Sequence, residues 1–480
     1  MPRHKQPYSL GELALQTVEK LIRDVGNNLI RNVCTATPRI ICEETSDLNA
    51  ELYDVYWLHQ MLHSNLPNIF ADELTRHAFI AIREIVEHTE CMSYLFAWDG
   101  DRKCRCIIED MIECTLHPQI RIMDFLEWPK FMWLVLCKNL HKLKRLEVLK
   151  LHSSSACDSE MKDFIEHDIC LLKNLVSFAY KGGCSDKIMY QVGNNCEKLQ
   201  ILDVSLSARL TDNSIQSILK LQELRKLDVS CTNLSEEGCF QLLTSLRNLE
   251  SYACSKLSMP WMMVDLCPNL TQVSLSYVTC DLSTLGQLAN LKDLSLSRCN
   301  CLVTNLNGLL QIKGQDLIIL QLNYVWNADI NSITTYCTRL KKLTWEVYTF
   351  TDNEPIEVRG AVTPHYCNLE HLDITNFSPL NLNFQPFNYL NIKILKVHFF
   401  GDICDDLVFA AVSKNFLRQL IELRLYNCGF LSLKTVRLLL DHCPHLRILA
   451  GLTTWRGISG KELENFHIEL KANNIDICVE

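Results

Sequence analysis

The residues most capable of chemistry in this sequence are its 24 cysteines and 15 histidines, which could bind a metal or act as nucleophiles and bases. The closest cysteine spacings are the group of Cys104, Cys106 and Cys114 and the pair of Cys299 and Cys301. Neither spacing matches the closed set of four ligands that a structural zinc site needs. The histidines are dispersed, which is typical of surface or core positions. We therefore expect free thiols and no metal site.

The sequence contains none of the short motifs that mark common catalytic sites. It has no phosphate-binding G-x-x-x-x-G-K-S/T, no H-E-x-x-H and no G-x-S-x-G. Glycine, which nucleotide-binding loops require, is scarce at 16 residues. These observations predict a protein that is not an enzyme and uses no cofactor.

Charge and hydropathy exclude further classes of function. The net charge is −9 and the pI is about 5.9, whereas nucleic-acid and anionic-membrane surfaces need clustered Lys and Arg. The N-terminal segment lacks the apolar core of a secretory signal, and no apolar run approaches the roughly 18 residues of a membrane span. We therefore expect no nucleic-acid or membrane partner. Because the sequence shows no export signal, we expect its cysteines to be free thiols in a reducing compartment, which is the cytoplasm, with the nucleus also compatible.

The elements that must carry any function come from an internal repeat with the pattern L-x-x-L-x-L-x-x-(N/C/T/S). The copies are spaced about 25 residues apart, as in leucine-rich repeats. The clearest copies begin at Leu146, Leu199, Leu224, Leu270, Leu291, Leu317, Leu340, Leu369, Ile392 and Leu420, and weaker ones begin at Leu175, Leu249 and Leu446.

This repeat predicts an α/β leucine-rich-repeat solenoid, in which each copy supplies one short strand of a parallel, concave sheet. Apolar residues such as Leu202 and Val204 point into the core, and the segment after many strands has a helical pattern. No copy can cover its own apolar face, so neighbouring copies must stack. Several copies open with a cysteine, a small apolar side chain that suits a tight buried turn: Cys196, Cys267, Cys337, Cys367 and Cys443. This pattern resembles the cysteine-containing subclass of these repeats, which is common in receptor subunits of ubiquitin ligases.

Side chains that alternate with the buried ones should line the concave face and form the default binding surface. Charged and aromatic residues at these positions are the candidate target-binding residues, because such side chains are favoured interface anchors. They are Asp203, Asp228, Glu346, Asp373, His398, Arg424 and Tyr426. The alternative is a solvated polar face without a single binding site.

The first 135 residues lack the repeat and read as mostly helical, so we predict a helical region at 1–135 and the solenoid at 136–480. Ser9 and Glu12 have the spacing of a capping box, in which each side chain accepts from the other residue's backbone N–H. The helix that follows places Leu10, Ala14 and Val18 on one stripe. A second helix is expected to start near Leu66-Pro67 and to continue to Ile85.

Two segments of this region resemble known docking motifs. SLGELALQTV at Ser9–Val18 is similar to the BC box, which docks on elongin C, and LPNIFADEL at Leu66–Leu74 resembles the cullin box, which contacts cullin-two. Together they resemble the VHL box of ubiquitin-ligase substrate receptors, including the zyg-eleven/Zer and PRAME families. The resemblance implies that elongin B/C binds at Leu10, Ala14 and Val18 in the helix-in-groove mode, and that a cullin binds at Leu66, Pro67, Phe70 and Leu74.

Other interpretations of these segments remain open. About 47 residues separate the two boxes, which is longer than we expect for this family. The BC-box match is also what an amphipathic helix capping the end of a solenoid would give. A variant with Leu66-Pro67 as the start of an F-box would recruit a Skp-type adaptor instead. The last alternative is a leucine-rich-repeat scaffold with no ligase partner.

Overall fold

The computed structural model describes residues 9–35, 56–62, 70–88, 102–153, 158–255, 257–347, 368–376, 390–398 and 403–479. Its chain divides into two compact units, Pro7–Gly238 (the first unit) and Cys239–Glu480 (the second unit). Neighbouring copies of the repeat contact one another and distant copies do not, so a division into units can fall between any two copies of the array. The division predicted at residue 135 rests on the change of sequence pattern there and stays a prediction.

Each unit contains parallel strands that hydrogen-bond in chain order. The strands of the first unit are β1 (Ile122–Asp124), β2 (Val148–His152), β3 (Ser177–Lys181), β4 (Ile201–Asp203) and β5 (Lys226–Asp228). Those of the second are β6 (Ser251–Ser255), β7 (Gln272–Ser276), β8 (Asp293–Ser297), β9 (Ile319–Val325), β10 (Lys342–Val347), β11 (His371–Asn376), β12 (Ile394–His398), β13 (Glu422–Tyr426), β14 (Ile448–Ala450) and β15 (Cys478–Val479).

Helices follow most strands, as the sequence pattern predicts, and others precede the array. The N-terminal helices are α1 (Leu10–Thr35), α2 (Ala71–His88), α3 (Arg102–Thr115) and α4 (Lys130–Lys138), with helical residues also at 56–62. Within the array lie α5 (Asp158–Asp168), α6 (Asp186–Asn195), α7 (Ile215–Ile218), α8 (Glu236–Ser245), α9 (Trp261–Leu266), α10 (Leu306–Lys313), α11 (Ile330–Tyr336), α12 (Asp405–Ser413), α13 (Leu433–His442) and α14 (Gly460–Ala472). Short 3-10 helices, such as Ser283–Gln287, take the same place in some repeats.

The predicted leucine-rich-repeat architecture is confirmed by the alternation of burial along the strands. In β7, Val273 and Leu275 are buried while Gln272, Ser274 and Ser276 stay partly exposed. The register stacks equivalent residues of neighbouring copies, so Leu294 of β8 pairs with Leu320 of β9. One face of the sheet therefore forms the core, and the other, which we call the open face, carries the polar side chains.

Repeat-opening cysteines lie in the core between copies, as their pattern predicts. Cys196, Cys267, Cys337 and Cys443 are fully buried, whereas Cys367 lies outside the described residues. The Cys267 thiol donates to the Leu243 carbonyl oxygen of the preceding copy at 3.5 Å. A small, weakly donating side chain thus satisfies a carbonyl in a space too tight for a larger residue.

Candidate functional site

The start of α1 has the capping-box geometry that its sequence predicts. The Ser9 backbone N–H donates to Glu12 Oε2 at 2.7 Å, and the Glu12 N–H donates to Ser9 Oγ at 3.2 Å. Hydrogen bonds to the Glu12 carboxylate from the backbone N–H and the side chain of Ser9 lower the pKa of Glu12. Two backbone N–H groups of the first turn are thereby satisfied, which fixes where the helix begins.

The first turns of α1 present apolar side chains to solvent. Leu10 is 87% exposed and Leu13 is 45% exposed, while Ala14 is exposed and Val18 partly so. The buried face of the helix begins only at Ile22, which is completely covered. The first turn of the segment that resembles the BC box is therefore exposed, whereas Leu15 and Val18 further along it are partly buried.

Helices α1 and α2 run in the same direction. Glu19 accepts from His77 Nδ1 at 2.9 Å, and further along both helices Arg23 contacts Glu84. Leu10 lies nine residues before Glu19, about 13 Å along the axis, and α2 begins six residues before His77, about 9 Å. Both N-termini therefore lie at the same end of the helix pair.

Only part of the cullin-box resemblance falls on described residues. Leu66 and Pro67 lie outside them. Phe70, immediately before α2, is 40% exposed, whereas Leu74 is 2% exposed and packs in the core. At the same end, Asp72 Oδ1 accepts from the Arg121 N–H at 2.7 Å, which ties α2 to the segment leading into β1. Phe70 is therefore accessible to a partner, whereas Leu74 is not, because its side chain packs in the core.

On the open face of the first unit, Asp203 and Asp228 are in register on β4 and β5. Asp203 accepts from Ser205 Oγ at 2.7 Å and pairs with Lys181 at 3.0 Å, and Asp228 accepts from Ser230 Oγ at 2.5 Å. Burial, followed by the charge of Asp203, raises the pKa of Asp228. Both carboxylates thus already hold the turn that follows their own strand.

The other five predicted binding residues lie on neighbouring strands of the second unit. Glu346, Asp373, His398, Arg424 and Tyr426 share the open face of β10, β11, β12 and β13. The His398 and Tyr426 rings stack with centroids 4.8 Å apart. The structure therefore brings these five residues into one polar patch.

Two residues that sequence reasoning did not select complete this patch. Glu422 pairs with Lys396 at 3.2 Å and with Arg424 at 2.6 Å, because β12 and β13 place all three side chains on the open face. Burial would raise the pKa of Glu422, but the hydrogen bonds from Arg424 and Lys396 lower it. The register of the two strands is the signal that could have identified this bridge.

A second feature absent from the sequence analysis is an aromatic edge in the second unit. Tyr277 and Arg298 directly follow β7 and β8, and Tyr324 is the last residue but one of β9; all three have a positive φ of 53° to 58°. The Arg298 guanidinium lies 5.4 Å from the Tyr277 ring centroid and 5.7 Å from that of Tyr324. The three residues occupy equivalent positions in three successive copies of the repeat, and this spacing could have predicted from the sequence that they lie side by side.

The described residues provide no cluster of three or more histidine, cysteine or carboxylate side chains suited to a metal. Cys299 and Cys301 are both buried, and burial raises the pKa of Cys299 to about 11. The same part of the chain has no helix long and apolar enough to cross a membrane.

No protein-family model and no curated protein matches this chain. Among solved structures, the yeast Rad7–Elc1 complex aligns with a TM-score of 0.41 and 16% identity, over 69% of this chain and 83% of that chain. The TLR13–ssRNA13 complex aligns at 0.31 and 17%, over 65% and 44%. A leucine-rich-repeat protein of Leptospira interrogans aligns at 0.24 and 15%, over 75% and 94%. With TM-scores below 0.5, none of the three indicates what this chain does.

Proposed function

We propose that this chain is the substrate-recognition subunit of a cullin-RING ubiquitin ligase. In this role the N-terminal part of α1 binds elongin B/C, the Leu66–Leu74 segment contacts a cullin of the cullin-two type, and the open face of the repeats binds the target protein. The role requires binding surfaces and no catalytic group, and it belongs to the cytoplasm or the nucleus.

The observation that carries this proposal is the exposure of Leu10 at the start of a well-capped helix. A helix that only capped the solenoid would turn its apolar stripe inward from its first turn. Here Leu15 and Val18 are only partly buried, complete burial starts at Ile22, and Leu10 is left 87% exposed. Such a side chain on a preformed helix can enter a partner's pocket without the cost of ordering the backbone.

Position also supports the proposal. The parallel arrangement of α1 and α2 puts the exposed Leu10 and Phe70 at the same end of the helix pair. An adaptor and a cullin that contact each other could therefore both reach this end. Leu74 contributes by holding α2 in place, since its side chain is buried.

The test is an affinity purification of the tagged full-length chain from cell extract, comparing wild type with Leu10→Ser. Elongin B, elongin C and a cullin should co-purify with wild type and be lost from Leu10→Ser. Leu302→Ser is the matched control, because it removes another exposed leucine, 69% exposed, in the second unit. This control should keep all three partners.

Each other outcome identifies a competing function. Absence of elongins from the wild-type sample would contradict the proposal and make α1 a capping helix. A Skp-type adaptor in their place would favour the F-box interpretation of Leu66-Pro67. Capture of neither adaptor would leave a leucine-rich-repeat scaffold.

A further inference from the structure

The first two turns of α1 carry apolar side chains on the side that faces away from the core. An α-helix turns by about 100° per residue, so directions around α1 can be compared with that of Ile22, which is completely buried. Leu13 points about 180° away from Ile22, and Leu10 about 120° away. The two side chains are 45% and 87% exposed. Both leucines therefore lie outside the face of α1 that packs in the first unit.

Two smaller residues extend the two leucines into a stripe. Ala14 and Thr17 each lie four residues after a leucine, on the same side of the helix, and both are exposed. Thr17 Oγ1 donates to the Leu13 carbonyl oxygen at 2.8 Å, so its hydroxyl is already satisfied within the helix. A helix that binds in a partner's groove presents its anchors at i, i+3, i+4 and i+7. Leu10, Leu13, Ala14 and Thr17 have this spacing, and we call them the outer stripe.

The outer stripe ends after these two turns. The next positions on this side of α1 are Lys20 and Asp24, each about 160° from Ile22, and both are charged and exposed. Polar residues are what a surface helix normally carries opposite its buried face. The apolar part is therefore limited to about 10 Å of the helix axis. A partner that covers it contacts the N-terminal end of α1 and not the rest of the helix.

Val18 belongs to the side of α1 that faces the core. It lies one turn before Ile22, about 40° away in direction, and it is partly buried. Leu15, about 20° from Ile22, is also partly buried. Packing in the first unit therefore accounts for the apolar side chain of Val18, although the resemblance to the BC box makes it a partner contact. The same packing does not account for Leu13, which points the opposite way.

We propose that Leu13 is the second anchor for elongin B/C beside Leu10, and that Val18 packs in the first unit without contacting the adaptor. The inference rests on the proposed function, in which elongin B/C binds the N-terminal part of α1. Two leucines on one preformed helix can enter neighbouring pockets together, because the helix already holds them in position. The small side chain of Ala14 lets the partner approach closely between them.

The experiment measures the affinity of the purified full-length chain for purified elongin B/C by isothermal titration calorimetry. Leu13→Ser should bind at least about ten-fold more weakly than wild type, because a leucine buried in the interface is lost. Val18→Ala should bind within about two-fold of wild type. Lys20→Ser is the matched control on the outer side, just beyond the stripe, and it should also bind like wild type. Circular dichroism shows that each variant is folded.

Thiol protection separates direct contact from an indirect effect. The thiol introduced by Leu13→Cys should react with iodoacetamide in the free chain and be protected when elongin B/C is present in saturating amounts. Cys478, which is exposed in the second unit, is the internal control and should react equally in both states. Peptide mass spectrometry reads both sites in one sample. Equal labelling of position 13 with and without elongin B/C would contradict the proposed contact.

The remaining outcomes distinguish this inference from the proposed function. Wild-type affinity in Leu13→Ser, or a ten-fold loss in folded Val18→Ala, would overturn the inference and leave elongin binding intact. No binding of elongin B/C by wild type would overturn both. A wild-type dimer in light scattering that Leu13→Ser converts to a monomer would assign the outer stripe to a second copy of the chain, which also overturns the inference.

Discussion

At the scale of single residues, aspartates at the start of repeat helices join one copy to the next. Asp405, the first residue of α12, accepts from Ser432 N–H at 2.9 Å, Ser432 Oγ at 2.6 Å and Thr435 Oγ1 at 2.6 Å. Asp186, the first residue of α6, makes the equivalent contacts to the next copy, with Thr211 Oγ1 at 2.7 Å. These carboxylates therefore have a structural role, since each connects two neighbouring copies.

Replacing Asp405 by Asn should destabilise the second unit. The amide cannot accept all three hydrogen bonds, so we expect a loss of roughly 1–3 kcal/mol in the free energy of unfolding, measured with urea. Asp406→Asn, an exposed neighbour in the same turn, is the control and should have little effect. Equal losses for both variants would contradict a bridging role.

The effect of Asp405 should also depend on pH. Burial would raise the pKa of Asp405, but hydrogen bonds from Ser432 and Thr435 outweigh it and lower the pKa below the ordinary aspartate value of 3.8. The contribution is therefore complete above pH 3.8 and is lost as the pH falls through the lowered pKa. The difference in stability between wild type and Asp405→Asn should shrink in that acidic range.

Thiol reactivity should separate the buried cysteines from the exposed ones. Burial raises the pKa of Cys196, Cys337 and Cys443 to about 12 in each case, while Cys106 and Cys478 are exposed. Brief alkylation of the native chain at pH 8, followed by peptide mass spectrometry, should modify the exposed pair and spare the buried three. The latter should react only in denaturant, and rapid native labelling of them would contradict their place in the core.

At the scale of elements, successive repeat helices pack closely where one copy meets the next. A Cβ added at Gly193 of α6 would lie 2.3 Å from the Ser217 carbonyl oxygen of α7. Backbone atoms cannot move aside as a flexible side chain can, so glycine sets the distance between these two helices. The parallel pairing of α1 and α2 requires a long connection, because the chain must return to the end at which α1 begins before it enters α2.

Gly193→Ala should therefore destabilise the first unit by roughly 1–3 kcal/mol, as overpacking does. Gly11→Ala is a matched control in α1, where the nearest atom to an added Cβ is Ser9 Oγ at 4.0 Å. That substitution should be neutral or stabilising, since alanine favours helix. Urea unfolding monitored by circular dichroism distinguishes the two, and an unaffected Gly193→Ala would mean that α6 and α7 separate easily.

At the scale of the whole molecule, the sequence predicted the strands that have a periodic pattern and missed those that do not. Every copy of the L-x-x-L-x-L pattern forms a strand, from β2 to β14, because the alternation fixes which face is buried. The strands β1 and β15 are only three and two residues long and carry no such pattern. Their pairing depends on the neighbouring strand.

The candidate site was predictable in its residue types but not in its pairings. Outward positions followed from alternation, which gave Asp373, Arg424 and Tyr426. Alternation cannot show that Glu422 bridges Lys396 and Arg424, because that depends on the register of strands about 26 residues apart. The burial of Leu74 likewise depends on how the N-terminal helices pack.

The two proposed surfaces predict that adaptor binding and target binding can be lost separately. Leu10→Ser should lose the elongins in quantitative mass spectrometry of purified complexes, and it should retain the target or even enrich it, because a target that is not ubiquitinated is not degraded. A double variant that replaces two of the predicted binding residues on the open face, Glu346→Gln and Asp373→Asn, should lose the target and keep the elongins. The target is then the protein whose amount in the purified complexes increases with Leu10→Ser and decreases with the double variant. Its cellular half-life should be longer in cells that express either variant in place of wild type. If both variants instead lose the same set of partners, the N-terminal helices and the open face bind the same partners. The proposal that they bind an adaptor and a target separately is then wrong.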